Sequence, residues 1–203
     1  AWARLLAEDP GDERAQSELE RLAGARGEFG ELARLYEERL GATFDGELGR
    51  RYGSKLAQIY EEALGDVDRA IACHRRALEF PGDESGPLGA LDRLLEGKGA
   101  FTERAEVLER EAGVAVDAGE QAGLLFRLGM VRERELRDLD GALAAYREVL
   151  EREPAHADAR FALERMLDHE LLRAQALDLL EPLYETAADY AALTRLGEVR
   201  LGL

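Results

Sequence analysis

The 203-residue sequence has no asparagine, a single cysteine and only two lysines, Lys55 and Lys98. One cysteine, Cys73, excludes an intrachain disulfide. No stretch approaches the roughly 18 consecutive apolar residues of a membrane-spanning helix, and no signal-peptide pattern is visible. A cytoplasmic location is therefore the default expectation. Aromatic residues make up 6% of the chain and β-branched residues are few, which argues against strands. The three histidines lie far apart, and His169-Glu170 is followed by Leu171, Leu172 and Arg173. The two-histidine spacing of a helical zinc site thus fails at its second ligand. Scarce lysine and absent asparagine, against plentiful arginine, suggest a GC-rich and hence bacterial coding sequence.

What the chain does contain is Ala, Leu, Glu and Arg, all good helix formers, with 34% charged residues. The reading is all-α. Its formal net charge is −16. A polyanion gains nothing from counterion release on a nucleic acid and is repelled by phosphate and by anionic lipid. Nucleic acid and membrane are not expected partners, and no cofactor or metal is expected. The charges are interspersed along helices, as on a solvated helical surface.

The dominant feature is an internal repeat in which Gly65–Gly113 aligns without a gap on Arg137–Glu185. Asp66-Val-Asp-Arg-Ala-Ile-Ala-Cys-His-Arg-Arg-Ala-Leu78 lies over Asp138-Leu-Asp-Gly-Ala-Leu-Ala-Ala-Tyr-Arg-Glu-Val-Leu150, and Ala90–Leu95 over Ala162–Leu167. Such similarity marks stacked supersecondary units, each packing on its neighbours. Each unit reads as two helices. Leu124, Leu125, Leu128, Val131 and Leu136 supply the apolar face of a first helix at helical spacing. A capping aspartate follows, Asp66 or Asp138. Ala142, Leu143, Tyr146, Val149 and Leu150 form the face of the second helix, which stops near a Pro or Gly. Equivalent second-helix positions, Leu32, Ala70, Arg104, Ala142 and Ala176, are spaced 38, 34, 38 and 34 apart. Long and short hairpins therefore alternate, the extra length falling in the first helices that start near Gly46 and Gly119. A single array over 1–203 is expected, with hairpins near 12–41, 46–80, 84–116, 119–153 and 155–185, and partial units at 1–9 and 187–203. Both ends read as cut within a hairpin, which predicts an excerpt of a longer array.

This pattern resembles the tetratricopeptide repeat. Leu56, Ala57 and Tyr60, then Ala70, His74, Ala77 and Pro81, fit that family's two helices, as do Leu128, Gly129, Ala142, Tyr146 and Pro154. Glu20, Asp92 and Glu164 depart from it at the small-residue position, and Arg104 at the second-helix Ala. Pro182 falls inside the last second helix, where it should kink or end it. The resemblance implies a right-handed superhelical solenoid of antiparallel hairpins whose concave face is lined by first helices and holds a peptide, tail or helix. A small residue at 57, 129 or 197 lets the second helix approach the first. The family's carboxylate clamp for chaperone tails uses Asn, so chaperone tails are disfavoured.

The candidate binding residues on that implied face are Arg21, Gln58, Glu61, Arg93, Phe126, Met130, Glu133, Phe161 and Arg165. Arg21, Arg93 and Arg165 recur at the interval of the repeat. They would either grip carboxylates of a partner or pair with a local acid, Glu96 or Asp168, one turn on. Phe126, Met130 and Phe161 would either catch an apolar anchor or be buried between hairpins, and Glu61, Glu62 and Glu133 could complement a basic segment. His74 shares a packing slot with Trp2 and Tyr146, and Cys73 reads as a small packed residue. Gly97-Lys98-Gly99 lacks the rest of a phosphate loop and reads as a turn. Asp66-x-Asp68 and Asp138-x-Asp140 lack the remaining ligands of a calcium loop. The functional expectation is a non-catalytic protein–protein interaction scaffold. Two other readings are a regulatory or spacer array within a larger protein and an end-to-end self-associating solenoid.

Overall fold

A computed structural model describes residues 2–202, with the side chains of Trp2 and Ala3 outside the description. Its described residues contain helices and no strands. They are α1 (Trp2–Glu8), α2 (Glu13–Arg26), α3 (Phe29–Ala42), α4 (Gly46–Gln58), α5 (Val67–Ala77), α6 (Ser85–Lys98), α7 (Phe101–Val114), α8 (Ala118–Val131), α9 (Leu139–Arg152), α10 (Ala157–Met166), α11 (Arg173–Thr186) and α12 (Tyr190–Leu201). The chain divides into two compact units, residues 1–99 and 100–203. The division falls between α6 and α7. Within each unit consecutive helices pack on one another, and short connections make them antiparallel neighbours.

The caps follow the aspartates. Asp66 Oδ1 accepts from Arg69 N at 3.0 Å and Asp138 Oδ1 from Gly141 N at 2.9 Å, so both carboxylates are engaged at helix starts. Asp12, Asp45, Asp117 and Asp189 do the same for α2, α4, α8 and α12. An unforeseen cap is His156, whose Nδ1 accepts from Ala159 N at 3.2 Å. Histidine is not among the strong capping residues, so the sequence carried no signal for it.

The two long first helices do not end as simple α-helices. Beyond α4 the backbone opens into a π-helical turn, Ile59–Ala63, and beyond α8 into another, Arg132–Leu136. Each is closed by a wide bond, Asp66 N to Tyr60 O at 2.8 Å and Asp138 N to Arg132 O at 2.9 Å. Gly65 and Arg137, one repeat apart, both adopt a left-handed conformation at φ 66° and 58°. The extra length of the long hairpins resides in these turns. Apolar spacing over so short a stretch does not separate such a turn from a continued α-helix.

In the first unit Tyr36, Tyr52, Leu56, Leu88, Leu91 and Leu95 are fully enclosed. The rings of Tyr36 and Tyr52 meet edge to face at 5.3 Å, and Tyr52 Oη donates to Pro10 O at 2.6 Å. Leu108, Leu128, Tyr146, Leu163 and Met166 fill the second. The close approach at Gly129 is real: a Cβ there would run into the Tyr146 ring. At Gly197 a Cβ would meet nothing within 4 Å, so the expected close approach does not occur among the described residues. Elsewhere the units solve one position differently. Phe80 packs over Gly49, whereas one repeat on Arg152 Nε donates to Gln121 Oε1 at 3.1 Å.

Pro182 neither ends α11 nor shortens it; the helix runs on to Thr186. Leu180 and Tyr184 are buried on either side of it, and that packing outweighs one missing backbone bond. The acids at small-residue positions also have a structural account. Tyr36 Oη donates to Glu20 Oε1 at 2.8 Å, and Tyr184 Oη donates to Glu164. An acid is tolerated there because a hydroxyl arrives on the neighbouring helix to satisfy it.

Candidate functional site

In the second unit, Phe126 and Met130 on α8 and Phe161 and Arg165 on α10 line one cleft of about 300 Å³. Tyr146 on α9 and Arg134 in the π turn complete it. Phe126 packs against Tyr146 with ring centroids 5.6 Å apart and against His156 at 5.0 Å. Phe126 and Met130 are half-buried, whereas Phe161 is 60% exposed. Of the two readings of these residues, full burial between hairpins does not hold for Phe161.

Behind this lining is a polar frame. Glu133 Oε2 accepts from Tyr146 Oη at 2.7 Å and from Arg165 Nη2 at 3.1 Å. The Arg165 guanidinium lies 5.8 Å from the centre of the Phe161 ring, within cation–π range. Burial, followed by the bond to Glu133, pushes the Tyr146 hydroxyl pKa upward, so it remains a donor. No proton transfer is implied by this arrangement. It holds Arg165 and, through it, the face of Phe161.

The first unit repeats the frame. Arg93 Nη2 donates to Glu61 Oε2 at 2.9 Å, with a second contact from Nη1 to Oε1. The Arg93 hydrogen bonds hold the Glu61 carboxyl below its ordinary pKa. Both arginines thus reach back to an acid on the π turn of the preceding long helix. The two arginines are held by Glu61 and Glu133, on the preceding helical segment, and not only by a local acid one turn on. Glu61 and Glu133, expected to face a partner, are instead occupied. Arg21 differs from the other two: its Nε and Nη2 bond to Glu18 Oε2 at 3.0 and 2.9 Å on its own helix. Gln58 lines a different cleft, of about 400 Å³, and its Nε2 donates to both oxygens of Glu62 at 3.1 Å.

His74 occupies the position of Tyr146 one repeat earlier. It is buried, and its Nδ1 has no hydrogen-bond partner among the described residues. Burial lowers its pKa, partly opposed by nearby Glu61. Trp2, assigned to the same slot from the sequence, has its side chain outside the described residues. Cys73 is buried, which pushes its thiol up to about 11; a nucleophilic thiolate is not favoured there. Lys98 bonds Asp68, and Gly99 takes a left-handed φ of 68° at the end of α6, which is turn chemistry. No group of three or more potential metal ligands is present among the described residues, and no described helix is long and apolar enough to cross a membrane.

This architecture, all-α with antiparallel hairpins repeated along the chain, defines a helical-repeat protein. Residues 54–87 and 124–156 each match a model of the tetratricopeptide repeat. The chain thus carries tetratricopeptide repeats, one matched in each of its two units. It is similar to the solved structure of YrrB, described as a TPR protein with an unusual peptide-binding site. The identity is 18%, the TM-score 0.50, and the match covers 98% of each chain. It is also similar to MamA at 18% identity and a TM-score of 0.48, covering 84% of this chain and 95% of that one. No curated protein matches the sequence significantly.

Proposed function

We propose that the chain is a non-catalytic protein–protein interaction scaffold and that its second unit holds a peptide segment of a partner in the cleft between α8 and α10. The observation that carries this reading is Phe161. A large aromatic, 60% exposed, is held in place by a guanidinium that is itself anchored to a buried-side carboxylate. A rigid frame of this kind loses little conformational freedom on binding, so a few modest contacts suffice. Stacked helical hairpins commonly present such binding surfaces, and YrrB, similar in fold, is itself described as having a peptide-binding site. In this reading the whole sequence is one repeat array serving that role. The arginines at 93 and 165 act in the frame, while Phe126, Met130 and Phe161 make the contacts.

The test is partner capture followed by hydrogen–deuterium exchange on this chain with the captured protein bound. Added protection concentrated on α8, its π turn and α10 is the expected result. Protection that leaves those three segments unchanged would overturn the proposed site.

A further inference from the structure

The internal repeat supplies its own control. Residues that every copy needs for folding should be shared, and those that differ at exposed positions are free to serve recognition. Between the two units the frame is kept: Glu61 and Glu133, Arg93 and Arg165, Ala90 and Ala162. The lining is replaced wholesale. Ser54, Gln58, Glu62 and Gly89 of the first unit correspond to Phe126, Met130, Arg134 and Phe161 of the second.

Phe161 is the sharpest case. Gly89 sits at the same place in α6, so the helix forms without any side chain there. The aromatic buries little of itself and is not needed to build the hairpin. Arg134 is the second case. Its counterpart Glu62 is engaged by Gln58, whereas Arg134 is exposed and makes no ion pair among the described residues. Asp158, in the first turn of α10, also lines the cleft, and Arg134 stands in the last turn of the π segment, so each of these two charges sits at the helix end that suits its sign. Arg165 is neutralised by Glu133 at 2.9 Å. Arg134 is the cation of this lining that no described ion pair occupies.

Size narrows the occupant further. The cleft is about 300 Å³, at the lower end of the roughly 300–1,000 Å³ of small-molecule pockets. That is room for one large side chain and little more. We propose that this cleft takes a peptide carrying one large apolar side chain with a carboxylate close beside it, the apolar group seated among Phe126, Met130 and Phe161 and the carboxylate on Arg134. The proposal rests on the scaffold reading above and adds the chemistry of the partner. It also assigns the first unit, with its polar lining, a different preference.

The experiment uses the 203-residue chain as it stands, immobilised and presented with a phage-displayed random dodecapeptide library. Selected peptides are synthesised with a fluorescent label and titrated against wild type, Phe161→Ala and Arg134→Glu. Both substitutions are at exposed positions, and circular dichroism checks that helicity is retained. The expected sequences pair a large apolar residue with Asp or Glu within four positions. Their affinity should fall at least about tenfold on Phe161→Ala, consistent with loss of an aromatic anchor. Replacing the peptide acid by Lys should weaken binding to wild type and restore it to Arg134→Glu. Peptides that bind wild type and Phe161→Ala equally would overturn this inference while leaving the scaffold reading intact. So would a selected basic preference that Arg134→Glu does not alter. Failure to select any peptide would overturn both.

Discussion

Residue by residue, the two copies test each other. His74 and Tyr146 fill the same slot, but only the tyrosine hydroxyl reaches its acid, Glu133, at 2.7 Å. The buried imidazole is held neutral: its pKa is lowered below the ordinary value of 6.5. The unfolded chain therefore binds a proton at His74 more readily than the folded one. Stability is lost as pH falls from about 6.5 towards the depressed folded value. His74→Tyr should flatten that slope, with urea midpoints between pH 7 and pH 5 as the readout. An unchanged slope would show that His74 is not its source. The glycines give a second test. Gly129→Ala forces a Cβ into a fully buried ring and should cost about 1–3 kcal/mol as overpacking. Gly197→Ala enters open space in the interior of α12 and should stabilise by about 0.5–1 kcal/mol through helix propensity. Chemical denaturation separates the two signs. The small-residue logic behind position 129 was legible in the sequence. At 197 no described side chain or backbone atom comes within 4 Å of the added Cβ, so nothing there demands a small residue.

At the scale of elements, helix positions were readable because apolar spacing, aspartate caps and Pro or Gly stops all agreed. The π turns were not, and with them went the pairing of the arginines. Recurrence along the chain showed that Arg93 and Arg165 were equivalent. It could not show that their acids lay on the preceding helical segment, since apolar spacing over so short a stretch does not reveal the π turn that carries them. The cleft was half legible: Phe126, Met130, Phe161 and Arg165 do share it, while Arg134 was missed for want of any periodic signal. The turns also contain an imbalance. Gly65 adopts its left-handed conformation freely, but Arg137 does so at φ 58° with a full side chain. Arg137→Gly should therefore raise stability by about 1 kcal/mol. A thermal midpoint at or below wild type would mean that the Arg137 side chain contributes more than the strain removes.

Across the whole molecule, charge dominates. Many of the described ion pairs are solvent-exposed, and such pairs contribute about 0–1 kcal/mol each, less in salt. Against them stands a formal net charge of −16, which repels itself in the folded state. Self-repulsion should win, so raising sodium chloride from about 10 mM to about 300 mM, where the Debye length contracts severalfold, should raise the melting temperature. A fall would identify the ion-pair frame as the larger effect. That frame has a further consequence. Because Glu61–Arg93 and Glu133–Arg165 persist while their surroundings were rewritten, the repeat separates what must be inherited from what can be varied. A duplicated hairpin of this kind can be given a new exposed face by a handful of codon changes, with the load still carried by the same two ion pairs.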